Sequence, residues 1–84
     1  MKNIRLTVHA KEQCAERGAS EAEVREAIEH GLRESAKKGR AMYRLNLPYR
    51  ARWQGKSYAI KQVAPVVAEE ENEIVVVTVY TFYF

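Results

Sequence analysis

An imidazole and a guanidinium lie eight residues apart near the start of the chain, in a segment with a helical pattern of apolar residues. At about 100° per residue, Gln13 and Arg17 follow His9 along one edge of the apolar stripe, where side chains are half-buried. An imidazole can move a proton near pH 7, and a guanidinium can stabilise charge that develops on a phosphoryl group, so the pair suits phosphodiester cleavage. The residues alone favour a structural alternative, in which His9 hydrogen-bonds near the helix start and Arg17 pairs with a Glu or binds the last helix carbonyls.

The other candidates for catalysis or metal binding show no comparable pattern. Cys14 falls on the apolar side of the same helix and is expected to pack as a small hydrophobe. His30 falls at the end of a second helix, where a protonated imidazole would interact with the helix dipole. His9, Cys14 and His30 lack metal-ligand spacing, and the chain contains no Asp, no Gly-rich phosphate loop and no nucleophile elbow. The sequence therefore predicts no metal and no cofactor.

The middle of the chain is strongly basic. Residues 35–65 contain eight bases and no acid, whereas residues 66–84 contain four acids and no base. A concentrated positive field of this kind attracts phosphate backbones, although a solvated face that only keeps the protein soluble would have the same composition. The predicted nucleic-acid-binding residues are Lys37, Lys38, Arg40, Arg44, Arg50, Arg52, Lys56 and Lys61.

Tyrosines and a tryptophan are interleaved with arginines in this basic segment. Rings among cations can stack bases while the cations bind phosphates. Tyr43 and Trp53 share the parity of the apolar positions, so core packing is the commoner explanation for these two. A competing account makes the arginines structural partners of the acidic cluster at residues 69–73. The arginines expected to share one sheet face are Arg44, Arg50 and Arg52.

Two short helices are predicted before the basic segment. Thr7 is suited to cap the first helix, which Gly18 is expected to stop. A Ser-x-x-Glu capping box at residues 20–23 begins the second helix, and Gly31 is expected to end it in the left-handed conformation. The buried stripe of the second helix is predicted to be Val24, Ala27 and Ile28.

The remaining pattern has period two, which predicts strands. A short strand or an extended arm is expected at residues 4–8, and further strands follow residue 39. Because proline cannot donate to the ladder, the strand is expected to end, bend or lie at an edge at Pro48, and Pro65 is expected to interrupt the following strand. Residues 74–84 are apolar on both faces and therefore belong inside the sheet. The pattern predicts a single α+β domain over residues 1–84, with two N-terminal helices packed on an antiparallel sheet of four to five strands.

Composition and termini indicate the compartment. No run approaches the length of a membrane span, and the first residues lack the apolar run of a signal peptide. The lone cysteine cannot form an internal disulfide. We therefore expect a soluble cytoplasmic protein without a membrane partner.

Two segments carry a resemblance to a known family. The opening contains His9-Ala10, Glu16-Arg17-Gly18, a helix that starts Ser20-x-x-Glu23-Val24 and a close Ile28-x-x-Gly31, and the ending is Val75-Val76-Val77-Thr78-Val79-Tyr80. Together they resemble the opening and the closing strand of the uncharacterised family called domain of unknown function 4258. Gln13 departs from the pattern, because many members have Arg one turn after the His.

The resemblance implies a fold and a set of site residues. By remote similarity this family is grouped with the RelE-like toxins and the barnase-like ribonucleases, many of which cut RNA without a metal. A RelE-like arrangement of two helices on an antiparallel sheet is therefore implied, with His9, Arg17, Thr78 and Tyr80 as the catalytic positions.

Two hypotheses of function follow. In the first, the protein is a small metal-independent endoribonuclease of toxin type, with RNA as substrate and an antitoxin protein as a possible partner. The basic segment would hold RNA, Arg17 would stabilise the transferring phosphate, and His9 or Tyr80 would move protons. In the second, it is a nucleic-acid-binding or partner-binding module without chemistry. Cleavage of single-stranded RNA in EDTA separates them.

Overall fold

A computed structural model describes residues 2–84 of the chain, so that Met1, the first residue of the predicted domain, lies outside the described residues. The elements in chain order are β1 (Asn3–Leu6), α1 (Val8–Arg17), α2 (Glu21–His30), β2 (Leu32–Ser35), β3 (Ala41–Trp53), β4 (Lys56–Glu69) and β5 (Glu73–Tyr83). One turn of 3-10 helix, Lys37–Gly39, joins β2 to β3.

The first helix begins and ends where local chemistry predicts. The Thr7 side chain accepts a hydrogen bond from the backbone N–H of Ala10 at 3.1 Å, which satisfies one of the free donors of the first turn. Gly18 ends the helix with φ 75°, in the left-handed region that glycine enters without cost. A Cβ on Gly18 would also lie 2.6 Å from the Tyr83 hydroxyl and 2.7 Å from the Trp53 ring, so the helix end packs directly on the sheet.

The second helix begins as predicted but ends differently. Ser20 and Glu23 form the reciprocal capping box, with hydrogen bonds of 2.9 and 3.0 Å. Gly31, expected to be left-handed, has φ −78° and an extended backbone. The chain passes there straight into β2, and a Cβ on Gly31 would meet the backbone of Ala27 and, at 2.6 Å, that of Arg44. Gly31 is therefore explained by a close backbone approach, and the predicted left-handed cap is wrong.

The sheet has five strands in the order β1-β5-β4-β3-β2. The strands β2 to β5 pair antiparallel, while β1 pairs parallel with β5 from Asn3↔Glu73 to Leu6↔Val76. The predicted α+β fold is confirmed, with one parallel strand pair that the sequence pattern did not predict. The first strand ends at Leu6, because Thr7 already serves as the cap of α1.

Neither proline interrupts its strand. Pro65 is buried in β4 opposite Val79 of β5, and the ladder to β3 has a gap between the pairs Leu45↔Val63 and Met42↔Val66. Because Pro65 has no N–H to donate, pairing with β3 is lost locally, but β4 continues through this residue. Pro48 lies where β3 has passed the end of β2, and the register to β4 shifts directly after it. Pro48 thus lies at an edge position beside a bulge, which is among the predicted alternatives, whereas the predicted interruption at Pro65 is wrong because β4 continues through it.

Both helices cover the same face of the sheet. They pack against β3, β4 and β5, and buried aliphatic side chains fill the layer between them. The opposite face, which neither helix covers, is called the open face below. The buried core residues are Ile4, Leu6, Ala10, Cys14, Val24, Ala27, Ile28, Ala41, Val63, Val67, Ile74, Val76 and Val79.

Candidate nucleic-acid interface

The open face carries two exposed aromatic rings on β5. Tyr80 is 40% exposed and Phe82 is 39% exposed, and their ring centroids lie 6.4 Å apart with planes 21° from parallel. They point away from the helices because Val79 and Thr81, which alternate with them, face the helix side, where Val79 is buried and Thr81 bonds to α1. The rings therefore form a continuous aromatic surface on the side of the sheet that faces solvent.

A groove of about 400 Å³ runs beside Tyr80. Its floor is the sheet, with Met42, Val66 and Thr78 beside Tyr80, and its wall is the segment of residues 36–40, called the basic turn below. Positive φ angles at Lys38 (61°) and Gly39 (71°) make this turn tight. The basic residues that line the groove are Lys37, Lys38 and Arg40. Two of the predicted catalytic residues and three of the predicted nucleic-acid-binding residues thus meet in one groove.

Arg17 reaches the same region from the edge of the sheet. Beyond Val76 the edge of β5 is no longer paired with β1, and α1 lies beside it. The Arg17 Nη1 donates to the backbone oxygen of Val79 at 2.7 Å, and the guanidinium carbon lies 5.2 Å from the centre of the Tyr80 ring. Arg17 is thus brought together with Tyr80, although it does not line the groove.

Gln13 supplies the second half of this edge contact. Its side-chain oxygen accepts the backbone N–H of Val79 at 2.8 Å in a buried position. Gln13 and Arg17 together satisfy both backbone groups of the residue that lies between Thr78 and Tyr80. The sequence placed Gln13 and Arg17 one turn apart on the same edge of the apolar stripe, and that spacing was the signal for this shared role.

His9 is not brought into the groove. Its side chain is exposed on α1, and within residues 2–84 it makes no hydrogen bond or ion pair and does not line the groove. His9 lies one helical turn before Gln13, near the start of α1. At that end of the helix the Thr7 N–H donates to the Val76 carbonyl at 3.1 Å.

The interleaved aromatic residues of the basic segment have a structural role. Trp53 stacks on Tyr83 with centroids 5.1 Å apart, and Tyr49 and Tyr58 contact the same ring at 5.3 and 5.5 Å. The Tyr43 hydroxyl donates to a carboxylate oxygen of Glu69 at 3.0 Å. These rings are therefore engaged within the protein, whereas Tyr80 and Phe82 are exposed on the open face. Phe82 was missed because its segment was interpreted as sheet interior.

The eight predicted nucleic-acid-binding residues fall into separate groups. Beyond the basic turn, Arg44 lies on the open face, with its guanidinium carbon 5.7 Å from the Phe82 ring centre. Arg50, Arg52 and Lys56 lie at the far hairpin of β3 and β4, where Arg50 has φ 47° in the register shift. The strict alternation that would place Arg44, Arg50 and Arg52 on one face is broken at that shift.

Lys61 does not belong to the basic surface. It is 7% exposed and faces the helices, where its Nζ donates to the Gly18 carbonyl at 2.8 Å and to a Glu23 oxygen at 2.9 Å. The prediction that Lys61 binds nucleic acid is therefore corrected: this ammonium group joins both helices to β4. Burial opposes ionisation of Glu23, but the hydrogen bonds and charge of Lys61 and the Ser20 bonds hold the Glu23 pKa below its ordinary value.

The acidic cluster of residues 69–73 has other partners than those proposed for it. Glu69 pairs with Arg33, and a hydrogen bond from Arg33 lowers the pKa of Glu69. Glu73 pairs with Arg5 at 3.1 Å. The account in which Arg44, Arg50 and Arg52 neutralise this cluster is thus wrong, because the partners come from β2 and β1.

Across residues 2–84 there is no cluster of three or more His, Cys or Glu side chains that could hold an ion. Cys14 is buried in the core, and burial raises the pKa of its thiol, as expected for a packing residue. Neither helix within these residues is long and apolar enough to cross a membrane.

Comparison with known proteins places the chain in a family. The model of the family described as Domain of unknown function (DUF4258) matches residues 6–81. No match was found among the curated proteins, and none among the solved structures. The chain belongs to the DUF4258 family, as its opening and closing motifs indicated.

Proposed function

We propose that this member of the DUF4258 family binds single-stranded RNA on the open face of its sheet. The observation that carries the proposal is the pair of exposed rings, Tyr80 and Phe82, beside the cations of the basic turn. Unpaired bases stack on aromatic side chains, while Lys and Arg bind the phosphates that join them. Bases inside a duplex cannot reach such rings, so the surface suits single strands.

The arrangement divides the work between two kinds of contact. The rings of Tyr80 and Phe82 offer two stacking positions, each worth about 1–3 kcal/mol per base. The basic turn lies along the groove next to Tyr80, where its cations would bind the phosphate backbone of the same RNA strand. Stacking is tolerant of sequence, so these elements predict affinity for RNA with little base preference.

Binding of fluorescein-labelled RNA octamers, measured by anisotropy, tests this proposal. Tyr80→Ala and Phe82→Ala are each expected to weaken binding roughly 5- to 150-fold, which corresponds to one lost stacking contact. Val8→Ala removes an exposed apolar side chain at the start of α1 and serves as the control, with affinity unchanged. Equal affinity of all four proteins would place the RNA elsewhere, and absence of binding would refute the proposal.

We further propose that the groove cleaves the RNA that it binds. The observation in favour is that Thr78 and Tyr80 line the groove beside the basic turn and that the Arg17 guanidinium lies against the Tyr80 ring. In the proposed reaction the 2′-oxygen attacks the adjacent phosphorus, the bond from phosphorus to the 5′-oxygen breaks, and a 2′,3′-cyclic phosphate and a 5′-hydroxyl form. The proton of the 2′-OH leaves to a base, and a proton is delivered to the 5′-oxygen.

Each residue has a role in this proposal. The Arg17 guanidinium stabilises the charge on the phosphoryl oxygens, and the Thr78 hydroxyl donates a hydrogen bond to them. Tyr80 or His9 moves the protons. Since the His9 side chain is exposed on α1 and does not line the groove, the Tyr80 hydroxyl is the nearer of the two to the proposed phosphate position.

Incubation of purified protein with single-stranded RNA in EDTA tests cleavage. We expect 2′,3′-cyclic phosphate products from the wild-type protein, and their loss in Arg17→Ala and in Tyr80→Phe, which keeps the ring. His9→Ala decides whether the imidazole takes part. Intact RNA after long incubation with protein that binds it would leave a binding module, and would also remove support for the toxin activity, the antitoxin partner and the RelE-like relationship that the resemblance implies.

A further inference from the structure

A row of four hydrogen-bonded polar side chains crosses the open face on the far side of Phe82. Glu34 accepts the Nε–H of Arg44 at 2.7 Å, and Gln62 Oε1 accepts an Nη1–H of the same guanidinium at 2.9 Å. The Gln62 amide nitrogen donates to Asn46 Oδ1 at 2.8 Å. One chain of hydrogen bonds thus connects β2, β3 and β4 across the surface.

The chemistry of the row fixes the orientation of both amides. A guanidinium can only donate, so the oxygen of Gln62 must face Arg44. The nitrogen of Gln62 then faces Asn46 and must find an acceptor there, which turns the Asn46 oxygen inward. The Asn46 amide nitrogen is left with its two N–H groups directed outward, and the Arg44 Nη2 has no partner within residues 2–84. The row therefore offers donors to a ligand.

These donors line a cavity large enough for a nucleobase. The cavity has a volume of about 340 Å³, and its lining residues are His30, Gly31, Leu32, Arg44, Leu45, Asn46 and Gln62. Leu32 is 82% exposed and supplies an apolar wall. The Phe82 ring lies beside Arg44, so the cavity follows the two stacking positions along the face.

We propose that this cavity is a base subsite that selects oxo bases, guanine and uracil, over amino bases, adenine and cytosine. The inference rests on the proposed binding of RNA to the open face. Guanine O6 and N7 and uracil O4 are acceptors that donors from Asn46 and Arg44 can bind. Adenine and cytosine place an amino group at the equivalent position, where donor would face donor. In this proposal the stacking rings supply affinity for any base, and the hydrogen-bonded row adds the preference for oxo bases.

The sharpest probe is a change of one functional group in the RNA. An adenosine octamer is compared with the same octamer carrying one inosine, which replaces the 6-amino group by an oxo group, and a cytidine octamer with one carrying a single uridine. We expect the oxo base to bind roughly 5- to 100-fold more tightly in each pair, as for a base read by two hydrogen bonds. A phosphate bound by the same donors would give equal affinities within each pair and would overturn the inference.

A matched pair of variants tests the residues. Asn46→Asp keeps an acceptor for Gln62 but replaces the outward N–H groups by an acceptor, and is expected to abolish or invert the preference. Asn72→Asp makes the same chemical change in the exposed turn before β5 and should keep the preference, with a similar effect of charge on total affinity. Retention of the wild-type preference by Asn46→Asp would overturn the assignment. Tight binding of all octamers without preference would refute the subsite alone, whereas absence of binding would refute the proposed function as well.

Discussion

Gln13 and Val79 are joined by a buried hydrogen bond across the edge of the sheet, with the Val79 N–H 2.8 Å from Gln13 Oε1. Arg17 takes the carbonyl of the same residue at 2.7 Å. Beyond the end of β1 the edge of β5 has no strand partner, and unpaired strand edges invite association. Two side chains of α1 thus both cover the edge and hold Val79, the residue between Thr78 and Tyr80.

Replacement of Gln13 by Leu is expected to destabilise the protein by about 1–3 kcal/mol, because the Val79 N–H would remain buried without an acceptor. Urea unfolding monitored by circular dichroism measures the change. Lys11→Leu, at an exposed position of the same helix, is the control and should stay within about 0.5 kcal/mol of the wild type. If both variants are equally stable, the hydrogen bond to Val79 contributes nothing.

The elements that local chemistry determines could be predicted from the sequence. The Thr7 cap, the capping box at residues 20–23 and the end of α1 at Gly18 each depend on residues within one turn of each other. Gly31 shows the limit of such reasoning, because the atoms that explain it include the backbone of Arg44, which only the tertiary fold brings near.

The candidate site was predictable only in part, for the same reason. Thr78 and Tyr80 were named from the family resemblance, and the basic residues from their number. Which basic side chains line the groove depends on the path of the chain. That path brings Lys37, Lys38 and Arg40 to the groove and buries Lys61 under the helices. A count of charges cannot distinguish these positions, and the period of a strand cannot reveal the bulge that separates Arg50 from Arg44.

The ion pair of Lys61 and Glu23 is expected to be a main contact between the helices and the sheet. Lys61→Met should cost about 1.5–3 kcal/mol, the usual range for hydrogen bonds to charged groups, because Glu23 and the Gly18 carbonyl lose their donor. A double-mutant cycle with Glu23→Gln, followed by urea unfolding, isolates the pairwise energy. Additive effects of the two substitutions would show that the pair is not coupled.

Stability is expected to fall in acid through the same pair. Despite the opposing effect of burial, the hydrogen bonds and charge of Lys61 and the Ser20 bonds lower the Glu23 pKa from its ordinary value of 4.5. The unfolded chain therefore binds a proton at higher pH than the folded protein does, so the stabilisation is complete above the ordinary pKa and is lost as pH falls through the folded value. Unfolding free energies between pH 3 and 7 should decline below about 4.5. Glu23→Gln should flatten the decline, and an unchanged decline would assign it to other carboxylates.

The last prediction concerns the salt dependence of RNA binding. If the basic turn holds phosphates, the variant Lys37→Gln/Lys38→Asn/Arg40→Gln removes three phosphate contacts. Each contact on a single strand contributes about 0.7 to the log–log slope of affinity against salt concentration, so the magnitude of the slope should fall by about 2. Asn is chosen at residue 38 because it tolerates the left-handed backbone found there.

The matched control removes three charges from the far hairpin, as Arg50→Gln/Arg52→Gln/Lys56→Gln, and should leave the slope nearly unchanged. Both variants should unfold at the wild-type urea concentration, since none of the six side chains forms an ion pair within residues 2–84. A larger change of slope in the hairpin variant than in the basic-turn variant would move the phosphate path away from the groove. Because the basic turn lines the groove beside Tyr80, the geometry predicts the opposite order.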